Sequence, residues 1–301
     1  MFRVSLVANA GNKSALVVSI LACALAVSTI SPISLARAGQ AVQSDIRLPL
    51  ASIKHAPVEV IRDRRGNALT TRDGQYMSAN WSGYILPKFQ TGDTYTAAQA
   101  TWAVPTVGAT KGLTLSANWV GIGGFCENAK CKKVDHKLIQ LGSSQGSYKN
   151  QIVYFTWYEM LPKNSIVTPL AVNPGDVITA SLSCSPCTGK QSWTLAMEDE
   201  TTGDSWSKTV KYKTSQLSAE WIEEAPYSSK GIVALANYGT STFDQSMVDG
   251  ASADLSLGDS IVLLDPHHQT SSVSDLNSSE DGFSTCFGTD SLAPCFFTPL
   301  P

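Results

Sequence analysis

The chain has 301 residues, of which 43% are hydrophobic and 16% are charged, with a formal net charge of −3. This composition can bury a large core, which excludes a wholly disordered, collagen-like or coiled-coil protein. No arginine follows Arg72, and residues 77–301 carry a net charge of −8. Because phosphate binding depends on cationic side chains, we expect no nucleic-acid partner.

The N-terminus has the pattern of a secretory signal. Lys13 precedes the apolar run Ala15 to Val27, and Ala36-Arg37-Ala38 follows as an A-x-A cleavage site. The run is shorter than the ~20 apolar residues that a membrane helix needs. We predict a signal peptide at residues 1–38 and an exported, monomeric mature protein without a membrane partner; a membrane anchor or a buried helix is the alternative.

Residues 39–76 differ from the rest of the chain. They carry a net charge of +2 and include the basic cluster Arg62-Asp63-Arg64-Arg65. We interpret them as a pro-segment ahead of a main domain at 77–301, although a flexible N-terminal arm fits equally well. Our hypothesis is that this segment docks on the acidic domain at neutral pH and is released in acid as carboxylates become protonated.

From Ser78 onward the pattern is that of short β-strands separated by turns such as Asn173-Pro174-Gly175-Asp176. No long run has helical periodicity; the best helix candidate is Gln216 to Glu224. Many short strands favour one antiparallel sandwich or barrel. The Ser-rich tail from Gln269 is expected to be a loose surface loop. The strand predictions are Tyr95–Val104, Gln151–Met160, Val177–Ser183, Ser192–Met197, Ser205–Tyr212, Ile232–Asn237 and Ser260–Leu264.

Six cysteines remain after the signal peptide, in three neighbouring couples: Cys126 and Cys131, Cys184 and Cys187, Cys286 and Cys295. An even number in an exported protein indicates disulfides, and pairing of neighbours is the simplest of 15 connectivities. The C-x-x-C at Cys184 could instead bind zinc or act in redox chemistry. It lacks the second close pair of a zinc ribbon and the βαβ context of a redox motif, so we expect no metal.

One motif suggests a serine hydrolase. Gly142-Ser143-Ser144-Gln145-Gly146 fits G-x-S-x-G, but that elbow leads from a strand into a helix, and a strand-like stretch follows here. We interpret the motif as a loop. His136 and the pair His267-His268 are expected to be exposed residues, not a catalytic base or metal ligands.

Two carboxylates and one carboxamide stand in apolar strand surroundings: Glu159, Glu224 and Gln140. In a strand, Glu224 would share one face with Glu220 and Ile222. An edge strand that uses charge to block aggregation is the structural alternative.

The order of short blocks resembles the glutamic peptidases, the eqolisins, from about Ser78 to Phe243. Several ordered blocks are far more specific than any single one. The matching blocks are Asn80-Trp81-Ser82-Gly83, Ala103-Val104-Pro105, Asn118-Trp119-Val120-Gly121-Ile122-Gly123-Gly124, Leu138-Ile139-Gln140-Leu141-Gly142, Trp157-Tyr158-Glu159-Met160-Leu161-Pro162, Pro174-Gly175-Asp176, Thr201-Thr202-Gly203 and Ala219-Glu220-Trp221-Ile222-Glu223-Glu224.

The resemblance implies an all-β, concanavalin-like double-sheet sandwich, made as a secreted precursor, that cleaves polypeptides in acid without metal or cofactor. The catalytic glutamine and glutamate of the family correspond to Gln140 and Glu224 in this sequence. Trp81, Trp119 and Glu159 match positions that line the family's substrate cleft. The sequence departs from the family pattern where Gly123 replaces an aspartate of the cleft and Ala225 replaces an acid. The extension after Gln269 has no counterpart in the pattern.

Two other classes of protein are compatible with the candidate residues taken by themselves. A sandwich-fold glycoside hydrolase would use Glu159 and Glu224 as its carboxylate pair. In that hydrolase Trp81, Trp119 and Trp157 would stack on sugar. A non-catalytic carbohydrate-binding module would instead use exposed tryptophans for recognition. Neither needs Gln140, so Gln140→Ala should abolish only a peptidase activity.

Overall fold

The structure is a computed structural model that describes residues 53–301. The predicted signal peptide and the first part of the predicted pro-segment lie outside these residues. Within the described part, no helix has the length and apolar character needed to cross a bilayer.

Almost every regular element is a β-strand, which confirms the predicted all-β class. The helices within residues 53–301 are α1 (Lys88–Thr91) and a 3-10 turn (Leu257–Asp259). The strands are β1 (Tyr76–Ser78), β2 (Trp81–Pro87), β3 (Ala97–Ala103), β4 (Thr114–Ile122), β5 (Ile139–Tyr148), β6 (Gln151–Met160), β7 (Ile166–Val167), β8 (Val177–Cys184), β9 (Ser192–Asp199), β10 (Ser205–Lys211), β11 (Ser218–Glu224), β12 (Tyr227–Ser228), β13 (Gly231–Ile232), β14 (Ala234–Leu235), β15 (Thr240–Val248), β16 (Ala251–Ser252), β17 (Ser260–Leu264), β18 (Gln269–Val273) and β19 (Phe283–Thr289).

The strands form two packed layers. Antiparallel pairing gives a front layer in the order β7-β6-β5-β4-β11-β2. A rear layer follows in the order β18-β19-β15-β3-β8-β9-β10. β17 joins the layers because Ile261 pairs with β2 and Leu263 pairs with β18. The predicted antiparallel double-sheet sandwich is confirmed.

The interior between the layers is filled by every second side chain of each strand. Val120 and Trp221 point into it from the front layer, and Trp102 and Phe243 from the rear layer. Successive side chains of a strand face opposite ways, so alternating apolar residues suffice to build this core.

The outer face of the front layer carries a second apolar cluster. Trp119 and Ile222, next in sequence to Val120 and Trp221, belong to it. It is covered by the chain that precedes the first strand, through the buried side chains of Ile53, Val58 and Val60. Both faces of the front layer are therefore buried.

The predicted boundary at residue 76 falls inside the fold. β1, Tyr76–Ser78, pairs in parallel with β17, and Val60 forms a bridge to Ser78. The last part of the predicted pro-segment is thus packed and hydrogen-bonded to the main domain.

Most strand predictions are confirmed, with four differences. The helix candidate Gln216–Glu224 forms strand β11, and Ile232–Asn237 holds only two-residue strands. The G-x-S-x-G stretch is the middle of β5 and not a loop. The tail from Gln269 is not a loose loop, since β18 and β19 pair there over five residues.

Two of the three expected cysteine pairs are confirmed. Disulfides join Cys126 to Cys131 and Cys286 to Cys295. Cys184 and Cys187 are not bonded to each other; the Cys187 thiol instead donates to the Cys184 carbonyl, 2.8 Å away.

Candidate active site

The five site residues predicted from the sequence lie on five strands and share the outer face of the front layer. All five are almost completely buried. They are Trp81 on β2, Trp119 on β4, Gln140 on β5, Glu159 on β6 and Glu224 on β11.

Strand register sets their spacing. Gln140 lies directly opposite Glu159 on one side and opposite Gly121 on the other. Glu224 stands two strands from Gln140, and Trp119 lies on the strand between them. Because residues four apart in a strand share a face, Glu224 and Glu220 both point outward.

Two glycines make room for the Trp119 side chain. A Cβ on Gly121 would lie 2.8 Å from the Trp119 ring, and a Cβ on Gly142 would lie 2.6 Å from the Trp119 Cβ. Real Cβ atoms are not found at such distances, so the indole can cover this part of the sheet only because both residues are glycine.

The Trp119 indole holds the Glu224 carboxyl. Its Nε1 donates to Glu224 Oε2 at 2.9 Å. Trp81 packs edge-on against Trp119, with ring centroids 4.9 Å apart. Burial raises the pKa of Glu224 well above its ordinary value, and hydrogen bonds from Ala56 and Trp119 oppose that shift. Trp81 and Trp119 thus fix the position of a carboxyl whose pKa is raised by its burial.

Glu159 is the second carboxyl of the site. Burial raises its pKa to about 7, while the nearby His55 acts in the opposite direction. Two carboxyls in one water-poor cleft can carry different protonation states, which is the arrangement that acid–base chemistry uses.

Gln140 is a buried amide of the site, and both of its side-chain polar atoms lack hydrogen-bond partners in the described part of the chain. Its side chain is fully buried, yet neither Nε2 nor Oε1 has a hydrogen-bond partner among residues 53–301. An unpaired buried amide costs about 1–3 kcal/mol for each polar atom. This carboxamide can therefore donate to, and accept from, a group bound in the cleft.

His55 was missed by the sequence reasoning. Its Nδ1 lies 2.7 Å from Glu224 Oε2, its backbone N–H donates to Glu159 Oε2 at 2.8 Å, and its ring stacks on Trp157 with centroids 3.4 Å apart. Burial lowers its pKa to about 4. The only available signal was a lone histidine in the mostly apolar stretch from Ala51 to Val60.

Of the other candidate residues, His136 lines a surface pocket together with Ala56 and Pro57. His136, His267 and His268 are exposed, as predicted. Ser144 of the G-x-S-x-G motif is buried within β5. In residues 53–301 no three histidine, cysteine or acidic side chains are grouped as metal ligands would be.

A sandwich that gathers two carboxyls, a carboxamide and three tryptophans in one cleft has the composition of a hydrolase acting through side-chain acid–base groups. The sequence matches the model of the Peptidase A4 family over residues 79–286, and the chain belongs to this family. The match includes β18 and the first part of β19, so residues 269–286 of the tail are part of the family domain and have a counterpart in the family pattern.

Individual relatives support the same family assignment. The chain is 27% identical over 211 residues to aspergillopepsin-2 of Aspergillus niger, covering 62% of this chain and 70% of the relative. It is also similar to the crystal structure of scytalido-glutamic peptidase with a transition state analog inhibitor, with a TM-score of 0.53, 25% identity, and coverage of 70% and 98%. The chain is a glutamic endopeptidase with polypeptide substrates, which decides against a glycoside hydrolase or a binding module.

Proposed function

We propose that this protein is a secreted endopeptidase that works in acid, with Gln140 and Glu224 as the dyad that activates water. The observation that carries the proposal is the buried, unpartnered carboxamide of Gln140 on the face that also presents Glu224. His55 contacts both Glu224 and Glu159, the cross-strand neighbour of Gln140, so the two ends of the cleft lie within the reach of one residue.

Hydrolysis of a peptide bond needs a general base, a hydrogen-bond donor to the oxyanion, and a general acid. Ionised Glu224 removes a proton from water, and the hydroxide attacks the peptide carbonyl. Gln140 Nε2 donates to the oxyanion of the tetrahedral intermediate, while Oε1 helps to hold the water. Glu224 then returns its proton to the leaving nitrogen as the C–N bond breaks, which restores the dyad.

The surrounding residues would position the substrate. Trp119 fixes the rotamer of Glu224 through the Nε1 hydrogen bond, and Trp81 supports Trp119. Glu159, whose pKa is about 7 in the closed cleft, is neutral in acid and can donate its O–H to a substrate carbonyl.

Operation in acid follows from the residue types. A carboxamide does not titrate, and a carboxylate that solvent reaches ionises near pH ~4, where a histidine base would be protonated. The two disulfides support export, because such bonds persist in oxidising compartments.

The test is hydrolysis of acid-denatured protein at pH 3–4, with products identified by mass spectrometry. Gln140→Ala should lower kcat/KM by about 10²–10³, the usual effect of losing one oxyanion donor. Glu224→Ala should lower it by about 10²–10⁴, because the general base is gone. Gln90→Ala and Glu198→Gln change exposed residues of the same types and should leave the rate unchanged.

Peptide hydrolysis that survives both Gln140→Ala and Glu224→Ala would overturn the dyad. Activity confined to neutral pH would contradict operation in acid. A chelator should have no effect, and a rate that falls on chelation and returns with a divalent metal would contradict a mechanism that uses side chains and water alone.

A further inference from the structure

The basic loop, residues 126–137, lies between β4 and β5 and carries a local excess of positive charge. Its last eight residues hold four lysines and one aspartate, a net charge of +3, although residues 77–301 together carry −8. All four lysines are exposed, whereas Asp135 is buried. The surface of this loop is therefore cationic on a domain that is acidic as a whole. The four are Lys130, Lys132, Lys133 and Lys137.

The basic loop is held in a fixed shape. The disulfide between Cys126 and Cys131 closes its first part. The Asp135 N–H donates to the Phe125 carbonyl at 2.8 Å, and the Asp135 carboxylate accepts from the Lys137 N–H at 2.9 Å. Because its backbone is already ordered, the loop loses less conformational entropy on binding a partner than a mobile segment would.

The basic loop borders a pocket that adjoins the candidate active site. The pocket has a volume of about 550 Å³, and its lining includes Lys132, Lys133, Ala56 and Tyr227. The Ala56 N–H donates to Glu224 Oε1 at 3.1 Å, and Tyr227 follows Glu224 by three residues in the chain. The pocket wall opposite the proposed base is thus formed in part by lysines.

The charges of the pocket lining do not cancel. Lys133 forms a salt bridge with Glu127 at 2.6 Å, but within residues 53–301 Lys132 forms none. The acidic residue of the lining is Glu59, whose carboxylate accepts a hydrogen bond from the Tyr227 hydroxyl. Two lysines against one glutamate leave the pocket with an excess of positive charge, which suits an anionic ligand.

Acid conditions select the kind of anion that such a pocket can bind. Aspartate and glutamate side chains lose their charge near pH ~4, whereas lysine side chains keep theirs. A phosphate monoester has its second pKa near ~6, so it still carries one negative charge in that range. Lysine binds phosphate as a point charge, without the fixed geometry of an arginine fork. A phosphorylated side chain of a polypeptide is therefore the anion that fits both the pocket and the acid range.

We propose that the basic loop is a substrate-recognition surface that binds a phosphorylated side chain of the polypeptide being cleaved. The inference rests on the proposed peptidase function and adds a preferred class of substrate to it. A phosphate bound at Lys132 and Lys133 lies in the pocket that adjoins Glu224, so the residues next to it in the substrate reach the cleft. The loop supplies affinity and leaves the hydrolytic step to the dyad.

The first test compares fluorogenic peptides that differ only in carrying serine or phosphoserine at one position, about two to six residues on either side of the scissile bond. Near pH ~4, where lysine and phosphate are both charged, the active secreted protein should cleave the phosphopeptide with a kcat/KM about 3–30-fold higher at the best position. The gain should come from a lower KM and should shrink in about 0.5 M salt, because salt screens exposed charges.

The matched variants separate the basic loop from other lysines. Replacing Lys132 and Lys133 together by glutamine should remove the preference for phosphoserine. The same replacement of Lys208 and Lys211, two exposed lysines of β10, should keep it. Equal kcat/KM for phosphoserine and serine at every position, or a preference that survives the loss of Lys132 and Lys133, would overturn the proposal.

The second test measures binding without hydrolysis, by fluorescence anisotropy of the labelled peptides with the full chain near pH ~7, where phosphate carries more charge. The phosphopeptide should bind about 3–30-fold more tightly than the serine peptide, and only when Lys132 and Lys133 are present. Equal binding of the two peptides, with displacement of both by polygalacturonate, would instead assign the loop to an anionic polysaccharide and overturn the proposal.

The outcomes separate the two proposals. If both peptides are hydrolysed at equal rates and bound with equal affinity, the peptidase function stands and the recognition surface is wrong. If the phosphopeptide binds through Lys132 and Lys133 but neither peptide is hydrolysed, the loop binds phosphate and the proposed function itself fails.

Discussion

At the scale of single residues, the glycines beside Trp119 decide how the candidate catalytic carboxyl is held. A Cβ on Gly121 would meet the Trp119 ring at 2.8 Å and the Ile139 carbonyl at 3.1 Å. We expect Gly121→Ala to move the indole, break its hydrogen bond to Glu224 and lower kcat/KM at least about tenfold, with a loss of about 1–3 kcal/mol in stability from overpacking.

The matched control is Gly108→Ala, because a Cβ there meets no atom within 4 Å. It should keep wild-type kcat/KM and thermal unfolding temperature. Full activity in Gly121→Ala would show that the position of Trp119 is not critical for catalysis.

Single residues also show which parts of the candidate site can be predicted from the sequence. Gln140 and Glu224 were found because each stands in a short block with a distinctive residue pattern. His55 was not found, because its partner Glu224 lies 169 residues away and no local pattern encodes that contact. Alternation predicts which face a side chain takes, but not which distant segment covers that face.

At the scale of elements, β19 shows why the tail was mispredicted. Its Phe283 is fully buried and stacks on Phe243 of β15 with ring centroids 5.0 Å apart. The neighbouring strand β18 buries Ser271 and Ser272, whose hydroxyls are hydrogen-bonded. Alternation of small polar residues gives no hydrophobic period, so these strands looked like a loop.

The element-scale prediction is that β19 is essential to the core. Phe283→Ala should reduce the free energy of unfolding by about 3–5 kcal/mol, as for other large aromatic truncations in cores, measured by denaturant titration. Phe296→Ala, at a side chain that is 77% exposed, should change it by less than about 0.5 kcal/mol. Equal effects of the two substitutions would mean that the tail is not part of the cooperative unit.

At the scale of the whole molecule, buried carboxyls make stability depend on pH. Burial raises the pKa of Glu223, which faces the interior between the layers, to about 8. The folded protein therefore holds a proton that the unfolded chain releases near pH 4.5. The contribution to stability is complete below about pH 4.5 and is lost as pH rises toward 8.

We therefore expect the unfolding temperature to fall between pH 5 and 8, with a loss of a few kcal/mol at most from this residue. Glu223→Gln removes the titration and should flatten that part of the profile, whereas Glu198→Gln on the exposed face of β9 should not. A profile of Glu223→Gln as steep as that of wild type would assign the pH dependence to other groups.

The strand β17 has a consequence for behaviour in concentrated solution. Since it hydrogen-bonds to both layers, the sandwich is sealed along that margin. In residues 53–301 the front layer ends at β7, which pairs with only Trp157 and Tyr158 of β6, and the rear layer ends at β10, which carries Lys208 and Lys211. Short or lysine-bearing margins resist strand-by-strand addition of another molecule. The sealed margin at β17 and the lysines of β10 therefore disfavour the stacking of partly opened chains into fibrils at these two margins.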